Sequence, residues 1–139
     1  MNNHTRAEEL PQLTFEVAKK IREFPEFSMT VTSADVSAYY AATGLTAVAG
    51  SAIVPPGYAA VFGRLGYLRR HRMPGGGVLL RQEIQWLAPA TVGEPMTIQA
   101  VVESAEEDPR GRRKIVFRTT AGQAGHPVAI VRITAGWPS

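Results

Sequence analysis

The segment "PPGYAAVFGRLGYL", residues 55 to 68, constrains the fold more than any other part of the chain. Proline is tolerated in the first turn of a helix, where its missing N–H costs nothing, so a helix is expected to begin near Pro55 or Pro56. Tyr58, Val61, Phe62, Leu65 and Leu68 then recur at helical spacing, with Gly57, Ala59, Ala60, Gly63 and Gly66 between them. An interior glycine costs about 1 kcal/mol relative to alanine. A helix that keeps two of them predicts close approach of its backbone to other backbone or to a ligand, with neighbours on nearly every side.

The flanking segments show what such a helix packs against. After "MPGGG" the period changes from helical to alternating in "VLLRQEIQWLAP", "EPMTIQAVVESAEE", "RRKIVFRTTAGQ" and "HPVAIVRITAGW". These runs are rich in β-branched residues and are separated by turn signals such as Pro89, Gly93, "DPRG" and "GQAGHP". They predict an antiparallel sheet with one face on the helix and one in water, the wet face carrying Arg81, Glu83, Gln99, Arg118 and Arg132. Upstream, "TSADVSAYYAATG" has both helix boundaries. Thr32 can cap, Asp35 can reach back to the cap, and Gly44 suits the left-handed residue after the last turn. Asp35 therefore has a structural role. Residues 1–23 form a weakly patterned lead-in to a single domain spanning 1–139, and the class is α+β.

With 139 residues, 45% hydrophobic and 19% charged, the chain has the size and composition of one self-sufficient domain. The absence of cysteine excludes disulfides, thiolate zinc sites and a cysteine nucleophile, and no metal site is expected. No apolar run approaches the roughly 18 residues of a membrane span, so no membrane partner and a cytoplasmic location are expected. The net charge of +3 is concentrated in "RRHR" at 69–72 and "RGRRK" at 110–114. These clusters lack the interleaved aromatics of a nucleic-acid surface, and no nucleic-acid partner is expected.

Taken in order, "MTVTSADVSAYYAATG", "IVPPGYAAVFGRLGYL" and the closing strands with their "P…VGEPMTI" turn and "ITAGWP" ending resemble the MaoC-like dehydratase family, the (R)-specific enoyl-CoA hydratases. The resemblance covers residues 24 to 138 and implies a hotdog fold, an antiparallel sheet wrapped around a central helix and paired with a second hotdog. It implies hydration of 2-enoyl thioesters, or dehydration of 3-hydroxyacyl thioesters, on coenzyme A or acyl carrier protein, with the thioester as ligand and no cofactor. The family's catalytic element resembles "GDxNPxH", whose Asp and His serve acid–base chemistry. Here the corresponding stretch is "TGLTAVAGSAIVPPG": Leu45 stands at the acid position and no histidine follows. The His-Gly that opens the family's central helix is replaced by Pro56-Gly57.

Weak catalytic candidates remain in Tyr58, whose hydroxyl can point toward a thioester carbonyl, and Ser51, which has no visible base. His71 and His126 read as surface residues and His4 lies in a terminal tail. Pro56, Gly57 and Tyr58 are the expected substrate-binding residues at the positive helix end, where the N–H groups of Gly57 and Tyr58 would donate to a thioester oxygen. Arg69, Arg70 and Arg72 are expected to meet coenzyme A phosphates or an acidic carrier protein at the other end of the helix. The favoured reading is an acyl-thioester-binding, non-catalytic or atypical subunit, working as a homodimer or with a catalytic hotdog subunit. The alternatives are a self-sufficient hydratase with a non-standard site, or a hotdog thioesterase. The second is opposed by the absence of any acid in "PPGYAAVFGRLGYL".

Overall fold

The computed structural model describes residues 10–44 and 52–138. Five antiparallel strands form one sheet: β1 (Phe27–Thr30), β2 (Val78–Trp86), β3 (Pro95–Glu107), β4 (Arg113–Gln123) and β5 (His126–Trp137), in the order β1-β3-β4-β5-β2. The four late strands fall where the alternating runs predict them. Their connections follow turn chemistry. Asp108 accepts from the N–H groups of Arg110 and Arg112 through Oδ1, both at 2.9 Å, and tightens the β3–β4 turn. Ala124 and Gly125 both take positive φ, 52° and 80°, as a two-residue hairpin between β4 and β5 requires.

The helix predicted after Thr32 is α2 (Ser33–Thr43). Its capping box is complete: the Thr32 hydroxyl accepts from the Asp35 N–H at 3.1 Å, and Asp35 Oδ2 accepts from the Thr32 N–H at 2.9 Å. Gly44 closes it at φ 71°. The central helix begins as a 3₁₀ turn, Pro56–Tyr58, and continues as α3 (Ala59–Leu68) across the concave face of the sheet. It packs on β3, β4 and β5.

The two interior glycines make that packing possible. A Cβ on Gly63 would lie 2.6 Å from Val131 Cγ1, and one on Gly66 would lie 2.7 Å from Thr119 Oγ1 and 2.9 Å from Ala100 Cβ. The buried Thr119 hydroxyl donates to the Gly63 carbonyl at 2.8 Å, tying helix to sheet at the point of closest approach. Tyr67 stacks on Phe117 with centroids 3.9 Å apart. The approach expected from the glycines is therefore to the sheet. The expectation that α3 is covered on nearly every side is corrected: Val61 and Leu65, on the side away from the strands, remain 41% and 38% exposed.

The lead-in is also more than a preface. Thr14 caps a short helix, α1 (Phe15–Ile21), accepting from the Val17 N–H at 3.2 Å. Leu13, Phe15 and Ala18 are buried, and the Trp137 indole N–H donates to the Leu13 carbonyl at 2.8 Å. Two turns carrying two buried residues are too short for a periodic signal to emerge.

The solvated face matches its polar pattern. Glu103 accepts from Arg132 Nε and Nη2, both at 2.8 Å, and from Arg118 Nη1 at 3.3 Å, while Glu83 pairs with Arg81. Arg132 also reaches Glu83 at 3.9 Å, so these pairs bridge β2, β3, β4 and β5 across exposed sheet, where each is worth ~0–1 kcal/mol.

Candidate functional site

The start of the central helix is built by four segments. Residues 52–54 run beside 90–92, with the Val54 N–H donating to the Ala90 carbonyl at 2.8 Å and the Val92 N–H to the Ala52 carbonyl at 2.7 Å. This brings Pro55 and Pro56 to the sheet, where the Trp86 indole N–H donates to the Pro56 carbonyl at 3.1 Å. The ring of Trp86 also meets Phe62 edge-on at 6.1 Å. Between them opens a cleft of about 380 Å³ lined by Ile53, Val54, Pro56, Trp86, Leu87, Ala88, Pro89 and Ala90. Its wall is apolar, and its volume lies within the range of small-ligand sites.

From the other side, α2 contributes Tyr39 and Asp35. They are four residues apart and so share a face of the helix. The Tyr39 ring lies 5.6 Å from that of Tyr58 and 5.8 Å from that of Tyr40, and its hydroxyl sits against Gly57, where any Cβ would meet it. Burial, reinforced by the nearby Asp35 carboxylate, pushes the Tyr58 phenol above its ordinary value. The backbone hydrogen bond from Thr32, with the Thr32 side chain, holds the Asp35 carboxyl below the usual carboxylate range. Tyr58 is therefore a protonated donor at neutral pH beside a standing negative charge.

The expected N–H donors divide. The Tyr58 N–H is already committed to the Pro55 carbonyl at 2.9 Å and cannot serve a ligand. That of Gly57 has no partner among the described residues, because it lies in the opening 3₁₀ turn, where N–H groups lack an intrahelical acceptor. Gly57 is exposed, and the space around its α-carbon is shared with a tyrosine hydroxyl. Tyr39 is the residue that sequence reasoning missed. Its signal was the four-residue spacing from Asp35, which places one aromatic on the same side as the cap.

The basic cluster separates in the same way. Arg72 donates from Nε to the Leu10 carbonyl at 3.1 Å, and its backbone pairs with the lead-in through Pro11 and Leu13. Arg69 lies over the Phe27 ring at 4.6 Å. Arg70 is exposed and makes no hydrogen bond or ion pair among the described residues. Of the three, Arg72 thus has a structural task, Arg69 is anchored on an aromatic face, and Arg70 stands free.

His71 is not a plain surface residue. It is half-buried with its ring edge-on to Phe24 at 6.0 Å, and burial holds its pKa below the ordinary value. Its Nδ1 is buried without a partner among the described residues. His126 is exposed at the β4–β5 hairpin, as expected. Ser51 and His4 lie outside the described residues. Neither described histidine is at the helix start, and among the described residues no cluster of three or more metal-ligating side chains occurs. No helix among the described residues is long and apolar enough to cross a membrane.

No protein-family model matches the sequence, and no curated protein matches it. Solved structures do match. An (R)-hydratase from A. caviae involved in PHA biosynthesis superposes with a TM-score of 0.64 at 20% identity, over 84% of this chain and 94% of that one. A (3R)-hydroxyacyl-ACP dehydratase complex from Mycobacterium tuberculosis gives 0.65 at 16% identity, over 82% and 92%. A hot-dog-like protein from Thermanaerovibrio acidaminovorans gives 0.59 at 20% identity, over 83% and 80%. The chain has the hotdog fold.

Proposed function

We propose that this chain is an acyl-thioester-binding hotdog protein of the MaoC-like kind, taking an acyl group carried on coenzyme A or acyl carrier protein and working paired with a second hotdog chain. The observation that carries this reading is the apolar cleft at the start of the central helix, next to the Gly57 N–H, which has no partner among the described residues. An acyl chain fits the apolar wall of Ile53, Trp86 and Leu87. Its carbonyl would accept from the Gly57 N–H, with the Tyr39 and Tyr58 hydroxyls at hand, so the site can hold and polarise a thioester. The phosphates of coenzyme A, or an acidic carrier surface, would meet Arg69 and Arg70 at the far end of the helix, about 18 Å away at 1.5 Å per residue.

Hydration also requires a base and an acid that reach the same water. The chain's histidines are His4, His71 and His126; neither of the two described ones lines this cleft, and the stretch that matches the family's catalytic element contains neither Asp nor His. A non-catalytic or atypical subunit is therefore the reading we favour. The placement of Asp35 near Tyr58 supports one alternative, a self-sufficient hydratase in which Tyr58 serves as the acid. The thioesterase alternative is weaker, because Asp35 is spent on capping α2.

The test is calorimetry with a non-hydrolysable thioether analogue of butyryl-coenzyme A, alongside a crotonyl-coenzyme A hydration assay on the purified chain. Saturable binding with turnover near background is expected. Absence of binding overturns the thioester reading. Robust turnover that Tyr58→Phe removes replaces the non-catalytic reading with the alternative.

A further inference from the structure

The convex face of the sheet, opposite α3, breaks its polar pattern at one end. Ile115 and Ala135 are buried on the concave side, so their neighbours Lys114 and Gly136 face outward. The β2–β5 register shifts between Leu79 and Arg81, and this bulge carries Leu80 onto the same outward face, 3.8 Å from where a Gly136 Cβ would stand. Val78, opposite Gly136, joins it, and the two are 56% and 55% exposed. From them a cleft of about 710 Å³ reaches to the β3–β4 turn, a volume in the range of small-ligand sites.

Gly136 is the floor of this cleft, and nothing in the fold asks for a glycine there. Its φ is not positive, unlike those of Gly76 and Gly111 at the rim. A Cβ would meet its neighbours at ordinary contact distance, unlike one on Gly63 or Gly66. A strand residue that gives up its side chain without either need leaves bare backbone for a ligand to lie on. The walls specify which ligand. Across the sheet, Val78, Gly136, Lys114 and Glu106 stand in register on β2, β5, β4 and β3, about 4.8 Å apart at each step. The row therefore runs from apolar to cationic to anionic. Arg112 lines the cleft too, and it, Lys114 and Glu106 have no ion pair among the described residues. Glu107 is engaged with Arg113, and Asp108 with the turn.

We propose that this cleft is a second binding site, for a single-chain amphiphile with a zwitterionic head of the phosphocholine type. The tail lies over Gly136 against Val78 and Leu80, where burial of apolar surface favours binding. The phosphate meets Lys114 and Arg112 in charge-assisted hydrogen bonds. The quaternary ammonium, one strand spacing further on, meets Glu106. As many carboxylates as cations line the cleft, so a plain anion would leave the acids unanswered and a plain cation the bases. The site is on the opposite face of the sheet from α3, and it does not rest on the thioester reading.

Decylphosphocholine, kept below its micelle-forming concentration, is the probe, and the amide chemical shifts of the isotope-labelled chain are the readout. Saturable shifts are expected at Lys114 and Gly136 and not at Leu87 in the helix-start cleft. Gly136→Val fills the floor with a residue that suits a strand and should lower affinity about tenfold or more. Should that variant misfold, Lys114→Gln on the exposed face carries the same test, with an expected loss of about threefold at low salt. Glu106→Gln should weaken decylphosphocholine and strengthen decyl phosphate, opposite signs that only an ammonium seated on Glu106 requires. No saturable shift at Gly136, equal affinity for decyl maltoside, changes of the same sign in Glu106→Gln, or binding to phosphatidylcholine vesicles without binding of the monomeric probe would overturn the proposal. Gly57→Val should leave decylphosphocholine binding unchanged, and its loss would place the probe in the helix-start cleft and overturn the second site as well. Flat thioester calorimetry with these shifts intact removes only the thioester reading.

Discussion

Gly66 and Gly57 belong to one continuous helical segment and serve opposite ends. Gly66 is buried, and its missing side chain is the space into which Thr119 and Ala100 fit. Gly57 is exposed, and its missing side chain leaves room for a tyrosine hydroxyl and an unclaimed N–H. The first is used by the fold, the second is available to a ligand. In a single sequence the two glycines look alike, and only what stands opposite each one separates structural from functional use.

The sharpest way to break this comparison is to add bulk at both positions. Gly66→Val should cost about 3 kcal/mol or more, because the new side chain meets β3 and β4 with nowhere to go. Chemical denaturation will read this directly. Gly57→Val should change stability by under about 1 kcal/mol, since the atom it displaces is the tip of a tyrosine side chain that can swing away. Affinity for the butyryl-coenzyme A analogue should nonetheless fall at least about tenfold, 1.4 kcal/mol. Equal stability losses at the two positions would erase the distinction.

Thr119→Val tests the tie beneath the helix. It removes the hydroxyl that donates to the Gly63 carbonyl, and a loss of about 1 kcal/mol is expected in the same denaturation assay, with ligand affinity unchanged.

A smaller effect should appear with pH at the far end of the helix. Burial keeps the folded-state pKa of His71 below its ordinary 6.5, so on acidification the unfolded chain takes up this proton before the folded chain does. The contribution of neutral His71 is whole above about pH 6.5. It declines as pH drops toward the folded-state value. His71→Leu should flatten the melting temperature over that window.

The smallest effect is electrostatic and belongs to the far end of the helix. Arg70→Ala should weaken binding of the coenzyme A analogue about two- to threefold at low salt, and the difference should disappear at high salt. Arg72→Ala should instead lower stability, because its side chain holds the Leu10 carbonyl.

The residues also show how far one sequence can be read. The α2 boundaries were legible because a capping box and a left-handed glycine are local chemistry, contained within the helix and its flanks. The four late strands were legible because alternation repeats within each strand. The proline start of the central helix was legible because proline in a first turn is local chemistry as well. That the stretch "TGLTAVAGSAIVPPG" carries neither Asp nor His needed no coordinates, since residue types are themselves the observation.

What the tertiary structure decided concerns residues far apart in the chain. That Gly63 and Gly66 face Val131 and Thr119, that Arg72 holds the lead-in while Arg70 does not, that His71 backs onto Phe24, and that Tyr39 covers Gly57 all depend on how the sheet curves around α3. Periodicity gives each element's faces but not which face meets which neighbour, because those contacts arise only when the elements close on one another. α1 escaped for a related reason: two turns bury too little to leave a periodic trace, and what they pack on is β3 and β4, far along the chain.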